Sequence, residues 1–210
     1  MANKHFSNLT IKELALFKKL NTPRKVQDYL EKLPINFERH GETLMSPRRV
    51  MTEQKCHCIE GAIFAAAIFW FHGQKPLLLD LKTDDTDSSH VVALFKRHGK
   101  WGAISKTNHA VLRYRDAIYR DPRELAVSYF HEYFLDKNGK KTLRSYSVPL
   151  DLSKFANKKW LTAEKDLWYI DDALENAKHY PLIKKSAVRD LRLADPIERH
   201  GLQQFEIYKK

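Results

Sequence analysis

Both cysteines of this 210-residue chain fall in one short run, Cys56 and Cys58, with His57 between them and an apolar stretch directly after. Three chemistries are open to such a run. Zinc takes four ligands, or three and a water, usually from pairs two to four residues apart. A Cys-x-Cys with no second cysteine pair begins that set poorly, although His90 and other residues could complete it. Plain burial is the second reading, because free cysteine behaves as a small core hydrophobe. The third is nucleophilic. Cys58 stands where a helix should begin, and there the unpaired first-turn amides and the positive end of the helix dipole favour a thiolate. The same amides can hold an oxyanion. A thiolate nucleophile also needs an imidazole within hydrogen-bond reach, oriented in turn by a third polar group. His90 is the candidate base, and Ser105 and Asn108 are the candidate orienting groups.

The elements that must position these residues are legible as caps and periodicities. Thr10 and Glu13 form a capping-box pattern, followed at helical spacing by Leu14, Phe17 and Leu20. Thr22-Pro23 and Ser46-Pro47 each pair a capping side chain with a proline at the first helical position. Ile59, Ala62, Ile63, Ala66, Ala67, Trp70 and Phe71 predict a helix apolar on most sides, hence buried, that His72-Gly73 closes. A buried strand is expected over 76–81 and a second over 90–96. A turn at His98-Gly99-Lys100 leads to a returning strand over 101–105. His90 then heads a strand whose hairpin brings Ser105 and Asn108 back to the same end. Residues 106–121 read as irregular and 122–134 as a helix capped by Asp121. Asn138-Gly139 reads as a turn, 142–148 as extended, and the last sixty residues as mostly helical. The fold class is therefore α+β, with a central helix packed on an antiparallel sheet. One domain spans 1–210, with a core at about 46–150 and helical extensions at 1–45 and 151–210.

Composition bounds the function class. With 43% hydrophobic residues, four Trp and eleven Phe, the chain has the material for a core and is not globally disordered. The formal charge of +11 attracts polyanions, but the basic residues are scattered rather than clustered, which argues against nucleic acid as the main partner. The longest apolar run, 61–71, is about half the ~20 residues that a membrane span needs, and the N-terminus lacks a secretory apolar segment. Free thiols and a cytoplasmic location are the expectation, with no membrane partner. No glycine-rich phosphate loop is present, so no nucleotide cofactor is expected.

Cys58, Glu60 and Ala62 open the apolar helix; His90 opens a strand; Gly99 and Trp101 form a Gly-x-Trp at the hairpin. In order and spacing these resemble the core of the transglutaminase-like superfamily, over about a third of the chain (46–108). The resemblance implies a papain-like fold, a Cys–His pair acting on amide bonds, and Trp101 near the substrate. It also implies an Asp four residues past the Trp, where this chain has Ser105. Serine accepts a hydrogen bond from imidazole but supplies no charge. Asn108, or a carboxylate of Asp84, Asp85 or Asp87, is the alternative orienting group. Gln54 stands where it could donate to an oxyanion, although a surface glutamine is the simpler reading.

Arg113 and Arg115 lie in a polar, basic and aromatic segment that could bind a carboxylate-bearing substrate or form a basic surface. His57 could support the site from behind, although a solvated ring is the simpler reading, and Glu60 is read as a charge favouring the helix dipole. Tyr129, Phe130, Tyr133 and Phe134 are read as core. The expected function is a cysteine-dependent amide hydrolase or acyl transferase acting on a peptide or other amide-bearing substrate. The alternatives are an inactive relative that binds an acidic partner or RNA, and a zinc-binding regulator.

Overall fold

The computed structural model describes residues 4–38 and 41–202. The outer ends of both expected helical extensions, 1–3 and 203–210, lie outside the described residues. Local signals set the helix starts. Helix α1 (Ile11–Lys19) opens on the reciprocal box: Thr10 Oγ1 accepts from the Glu13 amide at 3.2 Å, and the Glu13 carboxylate accepts from the Thr10 amide at 2.6 Å. Helices α2 (Pro23–Glu31) and α3 (Pro47–Glu53) start at the Thr22 and Ser46 caps with proline first. Each such cap contributes about 1 kcal/mol. Helix α4 (Cys58–Phe71) is buried at every residue from Ile59 through Phe69, as a helix apolar on most sides requires.

The strands are β1 (Leu77–Thr83), β2 (His90–Arg97), β3 (Lys100–Ile104), β4 (Arg115–Tyr119), β5 (Leu143–Ser147), β6 (Leu150–Asp151) and β7 (His179–Pro181). They form one seven-stranded antiparallel sheet in the order β4-β3-β2-β1-β5-β7, with β6 pairing to the start of β1. Between β2 and β3, His98 (φ 51°) and Gly99 (φ 75°) both take the positive φ that a tight two-residue hairpin turn demands. The chain is thus α+β, with the central helix on an antiparallel sheet.

Successive strand residues point to opposite faces, and both faces here are covered. Leu78, Val91, Ala93, Phe95 and Ile104 pack in the larger core with α4, Phe17, Leu30 and Trp160. Leu79, Leu81, Val92, Leu94 and Ala103 pack in a smaller core with Leu125, Tyr129 and Tyr133. This is why 77–79 and 91–95 read as unbroken apolar runs.

Three expectations need correction. Residues 115–119, expected to be irregular, form the edge strand β4. The helix expected over 122–134 stops early: α5 is Pro122–Val127, and only a 3-10 turn follows at Phe130–Glu132. Arg115 reaches across from β4 and donates to the Ser128 carbonyl at 3.2 Å and hydroxyl at 3.0 Å, taking the carbonyl that a continuing helix would need. Tyr129 and Tyr133 are nevertheless buried, as expected. Among the described residues, 151–202 hold less regular α-helix than expected. Two short α-helices, α6 (Trp168–Glu175) and α7 (Pro196–Leu202), alternate with 3-10 turns and with β7, which extends the sheet past β5. No helix among the described residues is long and apolar enough to cross a membrane.

Candidate active site

The start of α4, the start of β2 and the segment after β3 meet at one end of the sheet. Their meeting depends on Gly61. A β-carbon there would lie 2.8 Å from Lys106 Cβ and 3.5 Å from Cys56 Sγ, so only glycine lets the segment after β3 press against the first turn of α4. The turn before α4 is pinned from behind: Cys56 N–H donates to the Pro34 carbonyl and Asn36 N–H to the Cys56 carbonyl, each at 3.2 Å.

His90 is buried, and its Nε2 lies 2.7 Å from Ser105 Oγ. Ser105 has a single hydroxyl proton, and it goes to the Leu112 carbonyl. Ser105 Oγ must therefore accept from His90 Nε2–H, which leaves Nδ1 as the ring nitrogen available to a thiol. Leu112 is held in the left-handed region (φ 58°), a conformation costing a non-glycine residue about 1–3 kcal/mol. Its amide donates to Glu132 Oε2 at 2.7 Å. Ser105 is also clamped through its backbone: its amide donates to Gln27 Oε1 (3.1 Å), and its carbonyl accepts from Gln27 Nε2 (2.7 Å). A chain of side chains from Gln27 and Glu132 thus fixes the acceptor that orients His90.

His57 is the departure from expectation. Its backbone is extended (φ −96°, ψ −171°), which turns the ring back over the first helical turn instead of into solvent. His57 Nε2 lies 3.0 Å from the Thr43 carbonyl, 3.4 Å from Glu60 Oε1 and 3.5 Å from Glu38 Oε1. Glu60 is fully buried rather than a surface charge. Its carboxylate accepts from Thr43 Oγ1 (2.8 Å), the Met45 amide (2.9 Å), the His57 amide (3.0 Å) and Asn36 Nδ2 (3.3 Å).

The electrostatics follow from this arrangement. Burial alone would raise the Cys58 thiol. Hydrogen bonds from His57 and then His90, with the charges of both rings, overcome burial and bring it down to about 5. Burial would lower His57, but its bond to Cys58 and the negative charges of Glu60 and Cys58 raise it to about 9. The two values describe a coupled thiolate–imidazolium pair. Cys58 is half-buried and faces two cavities, one of about 360 Å³ lined also by His90, Asn108 and Tyr133, the other of about 200 Å³ lined by Asp80, Asp171 and Glu175.

No protein-family model matches the chain, and no curated protein sequence matches it.

Other sequence-predicted residues are placed differently. Asn108 lines the larger cavity, but the His90 ring bonds Ser105 instead. Asp84 is taken up by Arg144 and Lys140, Asp85 is exposed, and Asp87 accepts from Thr142 Oγ1 and the Ser88 amide, so none orients His90. Gln54 is exposed at the end of α3, its amide nitrogen bonded to the Met51 carbonyl and the Tyr29 hydroxyl, and it lines neither cavity. Arg113 pairs with Glu31 at 2.9 Å, and Arg115 pairs with Glu132 and stacks on Tyr129. Both arginines are therefore structural cross-links. Trp101 sits at the hairpin end of the sheet, opposite Lys96, whose ammonium lies 4.4 Å over its ring. That is about 20 Å along β2 from His90 at the rise of an extended strand. Among the described residues, no group of three or more His, Cys, Asp or Glu side chains could hold a metal ion.

Proposed function

We propose that the protein is a cysteine-dependent acyl-transfer enzyme acting on amide bonds, with a transglutaminase-like, papain-like core. The observation that carries this reading is a half-buried thiol drawn down to about 5 between two imidazoles, one of them held by a built relay. A cysteine kept for packing has no need of that apparatus.

The resemblance leads one to expect an aspartate behind His90, where Ser105 stands. Serine fixes the tautomer and orientation of His90 but supplies no charge. The missing electrostatic support comes from the other side. His57, backed by Glu60 and Glu38, presents a cation to the thiolate. The work then divides: His57 stabilises the thiolate, and His90 moves protons. Cys58 Sγ attacks the carbonyl carbon, and the first-turn amide of Cys58 faces the developing oxyanion. His90 takes the Cys58 proton at Nδ1 as the thiolate forms and gives it to the departing amine. A water activated by His90 then releases the acid, or an amine takes the acyl group; both outcomes use the same groups. The carboxylates around the smaller cavity give an amine a favourable environment as it leaves or enters.

Iodoacetamide labelling of Cys58 against pH, with mass spectrometry to locate the adduct, tests the pair in wild type and in His90→Ala. Wild type should label fast at pH 6–7, well below the ~8.5 of a free thiol, and more slowly without His90. A Cys58 that reacts as an ordinary thiol in both proteins would remove the enzyme reading and leave a binding module.

A further inference from the structure

Proteins bury few polar groups without partners, and each exception calls for a reason. Among the described residues, the buried side-chain atoms lacking a hydrogen bond include the Tyr133 hydroxyl. Only 2% of Tyr133 is exposed, and the residue lines the same 360 Å³ cavity as Cys58 and His90. Trp160 Nε1 and Tyr169 Oη are also unpartnered, but neither residue lines a cavity with Cys58. Position adds to the missing bond, since Tyr133 shares the cavity of Cys58 and His90.

Its placement is fixed from both sides. The Tyr133 carbonyl accepts from the Thr142 amide at 3.1 Å, and the ring belongs to the smaller core. The preceding residue, Glu132, holds the Leu112 amide and so the Ser105–His90 relay. One short segment therefore places both the orienting network and the phenol. Burial raises the phenol well above its ordinary value, and the charge it next feels most is that of Cys58. The hydroxyl stays protonated at any working pH, and it makes no bond to the sulfur. It is a protonated donor on a residue that shares the nucleophile's cavity.

We propose that Tyr133 Oη–H is a catalytic hydrogen-bond donor that, with the Cys58 amide, holds the oxyanion formed when an acyl substrate is attacked at Cys58. This rests on the acyl-transfer reading above and fills the role that Gln54 does not reach. In the step, the thiolate pair forms a C–S bond to the carbonyl carbon, and the carbonyl π pair moves to oxygen. Tyr133 donates to that oxygen without giving up its proton. Collapse re-forms C=O, breaks the bond to the leaving group, and returns the hydroxyl to its resting state.

The test contrasts two reactions of one sulfur. Acylation by p-nitrophenyl acetate passes through a tetrahedral oxyanion; alkylation by iodoacetamide does not. Both rates are measured on wild type and Tyr133→Phe, following nitrophenolate release and the mass of the Cys58 adduct. Tyr133→Phe removes one oxygen with no protein partner, so the fold should be retained, which a thermal unfolding curve checks. Acylation should slow on the order of 10²-fold with alkylation unchanged. Equal acylation in both proteins overturns the proposal while leaving the acyl-transfer reading intact. Equal slowing of both reactions also overturns it, by placing the hydroxyl on the thiolate. A wild-type Cys58 that does not acylate overturns the acyl-transfer reading, and this proposal with it.

Discussion

Cys56 and Cys58 are the same residue type two positions apart, and their surroundings drive them in opposite directions. Cys56 is fully buried in the irregular segment just before α4. Burial pushes its thiol up to about 12, against the charge of Lys106 and with that of Glu60 and Cys58. Cys58, one residue into α4, is brought down to about 5 by the rings of His57 and His90. Burial acts on both thiols; the difference lies in which groups the backbone turns toward each sulfur. Reactivity of a cysteine is therefore a property of its partners rather than of its depth.

Replacing each cysteine in turn should break this comparison most completely. Cys58→Ala should abolish acylation by p-nitrophenyl acetate, and Cys56→Ala should retain it, as nitrophenolate release will show. Comparable losses in both variants would mean that the two thiols share the chemistry. Next in size is the pH profile. The thiolate fraction of Cys58 rises with pH through about 5, and the imidazolium of His57 is lost as pH rises through about 9. The iodoacetamide rate should therefore climb near pH 5, and acylation should be supported between the two limits. His57→Gln removes the cation and should move the acid limb upward. Each unit of that move lowers the thiolate about tenfold at pH values below the limb. An unmoved limb would assign the low value to His90 alone. The smallest effect is expected from Gly61→Ala. Its β-carbon would meet Lys106 Cβ at 2.8 Å, and overpacking of this kind costs about 1–3 kcal/mol, readable from the midpoint of urea unfolding.

The helix starts were legible because their signals are local: Thr10, Thr22, Ser46 and Asp121 cap within three residues of themselves. The central hairpin was legible for the same reason, since His98-Gly99 sits between two apolar runs. Strand β4 was not. It is an edge strand with exposed Asp116 and Ile118, so neither face reads as buried. Within the site, the spacing from helix start to strand start pointed to Cys58 and His90. His57 reads as solvated because its partners Thr43, Glu60 and Glu38 are fixed by how the chain turns into α4, which spacing does not show. Arg113 and Arg115 looked free because Glu31 and Glu132, which pair with them, lie on other elements. Gln27 gave no signal at all. On an amphipathic helix it reads as a surface residue, and its bonds to Ser105 span 78 positions.

That clamp also bears on how the protein comes to be active. Loop-closure entropy makes contacts between distant positions late arrivals in folding. The groups that aim His90 come from α2, the start of β2, the segment after β3 and the turn at Glu132, so no short fragment contains them. During refolding, full activation of Cys58 should wait until Gln27 meets Ser105, because only then is His90 aimed. The sulfur thus reports the last step of assembly, and a chain that has not finished folding lacks its aimed proton carrier.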